Sequence, residues 1–308
     1  MTNLNSLATE VQLQIAGYLP PRSLLALART SKKWNAPAEE ALYRAPKIQK
    51  HDLNRRLMCL LKALFHQRER IQKMRGLSLL LRNLCIPVAK PSQTWEHVAI
   101  RTELLERLKA TGVSNQAWFD RIMSWDLMAW YGALITILPN LKALHIEYLA
   151  GPDYWIESGM DFRHNNCPSR RLFHLQFIGG GTNDQIPGLQ NLKYLTYPVG
   201  QLLSPWLALS KLETLELGIR SNFMGDTSHP PLSPVMSGVT RLIMKCDLRI
   251  LLRGHYRSEN LKQLISKLPS IKHIELSLGD DSENDSGSTD PYERAELWAT
   301  EWSRHHSS

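Results

Sequence analysis

At the start of the chain the apolar residues Val11, Ile15, Tyr18 and Leu19 fall at three- and four-residue spacing, the period of one helix face. Thr9, with Gln12 three positions on, predicts a capping box at the head of that helix. Pro20-Pro21 ends it, and Pro21 suits the first turn of a second helix with Leu24, Leu25, Leu27 and Ala28 on its apolar side. The stretch "RTSKKWN" breaks the second helix, because Thr and Ser compete for backbone hydrogen bonds. Asn35 and Pro37 predict a third, "PAEEALYR", carrying Leu42 and Tyr43. Three helices this short bury too little surface to stand alone, so the rest of the chain or a partner must cover some of these residues.

Beyond them the pattern changes. A helix over 54–70 has Leu57, Leu60, Leu61 and Leu64 along one side. A template of apolar-x-x-apolar-x-x-apolar-x-apolar then recurs. It reads Ile71, Met74, Leu77, Leu79, then Leu138, Leu141, Leu144, Ile146, then Leu189, Leu192, Leu195, Tyr197. It returns as Leu209, Leu212, Leu215, Leu217, as Met236, Val239, Leu242, Met244, and as Leu268, Ile271, Ile274, Leu276. Leu172, Leu175 and Phe177 form a partial copy. A helix end, a turn and a strand with two inward apolar residues is the logic of a leucine-rich repeat, in which each unit covers its neighbour. The starts are irregularly spaced, and the usual Asn after the strand is missing.

Residues 87–93 read as a linker-like turn. "TELLERLKA", from Thr102, predicts a capped helix with Leu104, Leu105 and Leu108 inward. Trp118, Ile122, Trp125, Tyr131, Leu134 and Leu138 continue helical spacing up to Pro139. The tail opens with the acidic linker "GDDSENDSGSTD", 279–290. Asp290 and Glu293 then cap a short helix whose stripe is Tyr292, Ala295, Trp298 and Trp302. That stripe is expected to cap the open end of the repeat stack, a free interaction helix being the other reading.

Composition narrows the class. Of 308 residues, 43% are hydrophobic and 21% charged, which fits a soluble globular chain with a sizeable core. The longest apolar run, Leu127 to Leu138, falls short of the roughly 20 residues of a membrane helix. No signal peptide is evident at the N-terminus. Cys59, Cys85, Cys167 and Cys246 are too sparse for a disulfide framework, so the expected setting is intracellular, cytoplasmic or nuclear. The net charge of +8 is concentrated in 47–75, where nine Lys or Arg face only Asp52 and Glu69. That run could meet nucleic acid, but it lacks the interleaved aromatics on which single-strand binders stack bases, so a solvated helix flank is expected.

Catalytic motifs are missing: there is no nucleophile elbow, His-Glu-x-x-His, phosphate loop or dinucleotide fingerprint. "FIGGGTND" (177–184) lacks the Gly-Lys-Ser/Thr ending of a phosphate loop and reads as an ordinary loop. His164 and Cys167 have no second pair at metal spacing. "DSGS" (285–288) resembles part of a phosphodegron, an accidental match being the expectation in an acidic serine-rich tail. No catalytic residue, metal site or cofactor is expected.

Residues 4–44 resemble an F-box. They supply Leu7, Glu10, Val11, Ile15, Tyr18-Leu19, Leu24-Leu25, Leu27, Ser31, Trp34 and the closing Leu42-Tyr43-Arg44, with Ala8 where the family has proline. The resemblance implies docking to the Skp-type adaptor of an SCF ubiquitin ligase, and through it to a cullin. Leu7, Val11, Ile15, Pro20, Leu24 and Trp34 would lie on or near the adaptor face, the other reading for each being the module's own core. "LLKALFHQRERIQKMRGLSL" resembles the junction in fungal F-box proteins with degenerate leucine-rich repeats.

The expected architecture is α+β or an α/β solenoid: a three-helix F-box (4–45), a linker helix and first repeat (46–93), a helical insertion (94–137), an irregular leucine-rich-repeat-like domain (138–278), the acidic linker (279–290) and the C-terminal helix and tail (291–308). The expected function is substrate recognition for the ligase, with no active site of its own. Candidate target contacts are Tyr154 and Trp155 in "GPDYWIES" and Arg220, Asn222 and Phe223 in "GIRSNF", each open between a contact and a packed or solvated loop residue. The competing reading is a repeat scaffold that uses its F-box-like helices internally.

Overall fold

The computed structural model describes residues 6–48, 53–82, 94–113, 115–149, 186–198, 206, 209–219, 238–247, 265–266 and 268–279. The chain forms two compact units, Met1–Leu195 with Leu209–Lys211 and Thr196–Ala208 with Leu212–Ser308.

The first unit opens with α1 (Thr9–Gly17), α2 (Pro21–Thr30) and α3 (Lys32–Arg44). The cap of α1 differs from the expected Thr9–Gln12 box. Ala8 is already extended, so it takes the N-cap position without a side-chain bond and Thr9 becomes the first helical residue. Gln12 is buried and donates from Nε2 to the Leu7 carbonyl at 3.2 Å. Ser31 alone separates α2 from α3, its Oγ accepting from the Lys33 N–H at 3.2 Å. The third helix therefore starts before Asn35, and Pro37 lies inside it.

A short strand β1 (Lys47–Ile48) follows, then α4 (Leu53–His66), α5 (Arg68–Lys73) and β2 (Gly76–Arg82). The helix expected over 54–70 divides at Gln67, whose backbone is extended. Leu57, Leu61 and Leu64 are fully buried along α4. The next helix, α6 (Trp95–Ala110), starts well before Thr102. Thr94 Oγ1 caps it, accepting from the His97 N–H at 3.4 Å, while Thr102 bonds back to the Val98 carbonyl mid-helix. Its end is a Schellman motif: Gly112, at φ 84°, donates to the Lys109 carbonyl and Val113 to that of Leu108.

Helices α7 (Gln116–Met123) and α8 (Leu127–Thr136) are capped by Asn115 and Asp126. The helical spacing expected across them breaks at Trp125, which turns left-handed at φ 64°. All ten residues of α8 are buried, which accounts for the long apolar run as a core helix. Among the described residues no helix is long and apolar enough to cross a membrane.

The third and fourth positions of every template copy lie in a strand: β2, β3 (Ala143–Leu149), β4 (Tyr194–Pro198), β5 (Thr214–Ile219), β6 (Arg241–Asp247) and β7 (His273–Gly279). In the first unit β1, β2 and β3 pair in parallel, with Leu77 beside Leu144 and Leu79 beside Ile146. In the second, β5, β6 and β7 pair in parallel, with Leu215, Leu242 and Ile274 in one row and Leu217, Met244 and Leu276 in the next. Parallel neighbours need crossovers and cover on the apolar face, and the first two template positions supply buried residues beneath the strands, such as Ile71, Met74, Leu138 and Leu141.

The same joint recurs before the strands. The Arg75 carbonyl accepts the N–H groups of Lys142 and Ala143, and the Lys142 carbonyl those of Lys193 and Tyr194. The Glu213 carbonyl accepts from Thr240 and Arg241, and the Thr240 carbonyl from Lys272 and His273. Two asparagines, each just before the second apolar position of its template copy, add a side-chain rung. Asn140 Nδ2 donates to the Gln72 carbonyl at 3.1 Å, and Asn191 Nδ2 to the Pro139 carbonyl at 2.9 Å. Met236, the partial copy at 172–177, the glycine loop, His164, Cys167, residues 280–290 and the C-terminal helix lie outside the described residues.

Candidate functional site

The three N-terminal helices pack around a thin centre of Ala16, Leu24 and Ala38, with Leu19, Leu27, Ala28, Ala41 and Leu42 partly buried against it. Two small alanines bring the helices close but leave little apolar area inside, so larger apolar side chains remain outside. Tyr18 is 90% exposed, Leu25 48% and Val11 39%. Val11 and Tyr18 are seven residues apart, two turns along the same side of α1. Tyr18 closes that helix, donating from its N–H to the Ile15 carbonyl at 3.1 Å, and the exposed Pro20 caps the next.

Of the six residues expected at an adaptor face, Val11 and Pro20 are exposed, and Leu7 and Ile15 are half-buried. Leu24 and Trp34 are each only 4% exposed, and Leu24 lies at the module's centre. Tyr18 and Leu25 belong to the helix faces and to the F-box-like pattern in the sequence but are not among the expected adaptor contacts, because three- and four-residue spacing alone does not separate an inward from an outward apolar residue. Arg22, Arg29, Lys32 and Lys33 are exposed on α2 and α3 and give this end a basic rim.

The basic run downstream is partly neutralised. Lys62 Nζ meets Glu96 Oε1 at 2.8 Å between two exposed side chains. The hydrogen bond and the opposite charge hold the Glu96 carboxyl below its ordinary range and the Lys62 ammonium above its own. Arg70 is paired with Glu39, while Arg55, Arg56 and Arg68 are exposed. Tyr154, Trp155, Arg220, Asn222 and Phe223 lie outside the described residues. Among the described residues no three His, Cys, Asp or Glu side chains gather as a metal site would require.

An F-box-like family model matches residues 4–49, the span that holds α1, α2, α3 and β1. No curated protein matches the chain. The chain thus carries an F-box-like domain at residues 4–49, followed by a mixed α/β part with a parallel sheet. Domains of this class typically bind Skp-type adaptors and serve SCF-type ubiquitin ligases as substrate-adaptor modules without catalysis of their own.

Proposed function

We propose that this protein is the substrate-receptor subunit of an SCF-type ubiquitin ligase. Its F-box-like helices dock a Skp-type adaptor, the adaptor joins a cullin, and the sheet-bearing part holds a target protein. The observation that carries this reading is the exposed apolar set Val11, Tyr18 and Leu25, on a module that matches the F-box-like family. Apolar side chains left at the surface of so small a module are available for a partner's apolar face to cover. The receptor needs no active site. Tethering raises the concentration of target lysines near a charged conjugating enzyme, and the rate follows from proximity.

The recurring strand joints and the buried template positions support a leucine-rich-repeat-like reading of the sheet. Its strand-end loops are the natural target surface, and Tyr154, Trp155, Arg220, Asn222 and Phe223 are the candidates there. Unchanged affinity for a target after Trp155→Ala and Arg220→Ala would remove them from that role.

Co-expression of the full chain with a Skp-type adaptor tests the main reading. A stoichiometric complex should form, and Val11→Asp/Leu25→Asp should abolish it while leaving the circular dichroism spectrum intact, because both side chains are exposed. The competing reading, an adaptor-free scaffold, draws on the burial of Leu24 and Trp34. It predicts a well-behaved monomer that ignores the adaptor.

A further inference from the structure

The apolar face of the second unit's sheet is sealed under two strands and open under the third. Leu215 and Leu242 are fully buried, whereas Ile274, in register with both, is 39% exposed. Ile271 and Leu276 are likewise only half-buried, although Leu217 and Met244 beside Leu276 are buried. Among the described residues β7 pairs only with β6. Side chains alternate along a strand, so Ile274 and Leu276 share the face that β5 and β6 turn to the core. The opposite face is polar and already matched, with Arg241 on Glu275 and Lys245 on Glu216, each at 2.6 Å.

We propose that the chain's own segment 291–303 covers this open end, laying Tyr292, Ala295, Trp298 and Trp302 against Ile274 and Leu276. Three observations choose this occupant. The first is chemistry: the stripe recurs at helical spacing and brings two indoles to a gap left by aliphatic side chains. The second is reach. The chain leaves β7 at Gly279, and the residues 280–290 can span about 36 Å when extended. The way back from Gly279 to Ile274 is only about 17 Å along the strand. The third is tethering: a segment joined by so short a linker faces the gap at an effective concentration of roughly millimolar, which a second copy of the chain does not reach. A parallel stack needs such an end cap, because its last strand has no neighbour to bury against. The inference does not depend on adaptor docking.

The test places a photo-crosslinking benzoylphenylalanine at position 298 of the full-length chain, followed by illumination and peptide mapping. The expected product is an intramolecular cross-link to the β7 peptide that contains Ile274. Cross-links confined to other regions, cross-links only between copies, or none at all would each overturn the proposal. Thermal melting supplies a second reading. Trp298→Ala should lower the melting temperature by about 3 °C or more, and Ile274→Ser should lower it by less in the Trp298→Ala background than alone. Fully additive shifts would count against contact between the two residues.

Discussion

Arg70 Nε lies 2.8 Å from Glu39 Oε1, and this pair joins α5 to the last helix of the F-box-like module. The same guanidinium donates from Nη1 to the Ala63 carbonyl at 3.1 Å and sits 4.4 Å above the centre of the Tyr43 ring. Both side chains of the pair are largely buried, at 16% and 26% exposure, so water screens the contact less than it would a surface pair. Arg75 adds a backbone tie, its N–H donating to the Arg44 carbonyl at 2.9 Å. The module is thereby fastened to the strand that follows it.

Arg70→Ala should cost about 2 kcal/mol in urea unfolding, since it strands Glu39 and removes the ring contact. Arg70→Lys should recover less than half of that, because an ammonium cannot bond the carboxylate and the carbonyl in one plane. Adaptor binding should survive both changes, as Val11 and Leu25 are untouched. A loss below about 0.5 kcal/mol for Arg70→Ala would show that the module is held by apolar packing alone.

Gly188 sits in a 3-10 turn, Pro187–Leu189, against the end of α8. A Cβ there would run into the Ile135 carbonyl. Gly188→Ala should therefore destabilise by about 3 kcal/mol or more, because a backbone group must move. Gly112 has open space around it but a φ of 84°, so Gly112→Ala should cost about 1 kcal/mol, from backbone strain alone. Gly17, free of both constraints at the end of α1, should accept alanine without loss. Denaturation midpoints for the three variants must fall in that order.

The strands were legible because each copy of the template pairs two apolar residues two apart, as Leu77 with Leu79 and Leu144 with Ile146, and all four are buried. The helix beginning at Trp95 was not, because Trp95 and Val98 face solvent and blur the inward stripe of Ile100, Leu104 and Leu108. Trp125 misled for a different reason. Its spacing from Trp118 and Ile122 suits a continuing helix, yet the chain turns left-handed there and stacks the indole 4.9 Å from Trp130. The residue before the second apolar template position is Lys73, Asn140, Asn191, Lys211, Gly238 or Ser270 in the six copies, so no sequence pattern announces the asparagine rungs. The outward apolar set of the N-terminal module stayed hidden because burial depends on how three helices cross, which one face's period does not encode.

Those rungs make the third prediction. Asn191→Ala leaves the Pro139 carbonyl without its 2.9 Å donor at a partly buried site and should cost about 1 kcal/mol. Asn140→Ala, at an exposed site where water can replace the amide, should cost less than about 0.5 kcal/mol. Equal losses from the two variants, in guanidinium titrations followed by circular dichroism, would show that burial does not set the cost of losing a rung.

Tyr131 lies on α8 with its hydroxyl buried and without a hydrogen-bond partner among the described residues. Burial raises its phenol well above the ordinary value of 10.0. In the unfolded chain the group ionises as pH passes about 10, whereas in the folded protein it keeps its proton. The unfolded state then binds fewer protons than the folded one, so this contribution to stability is complete below pH 10 and falls as pH rises further, by at most about 1.4 kcal/mol per pH unit. Tyr131→Phe removes the titration and should flatten that alkaline fall. At neutral pH it should also stabilise the protein by about 1 kcal/mol, because the orphaned hydroxyl is lost while the ring keeps its shape. Urea midpoints at neutral pH and above pH 10 separate the two effects. A variant that is weaker at neutral pH and as alkali-sensitive as the parent would mean that the hydroxyl has a partner and the ring no special environment.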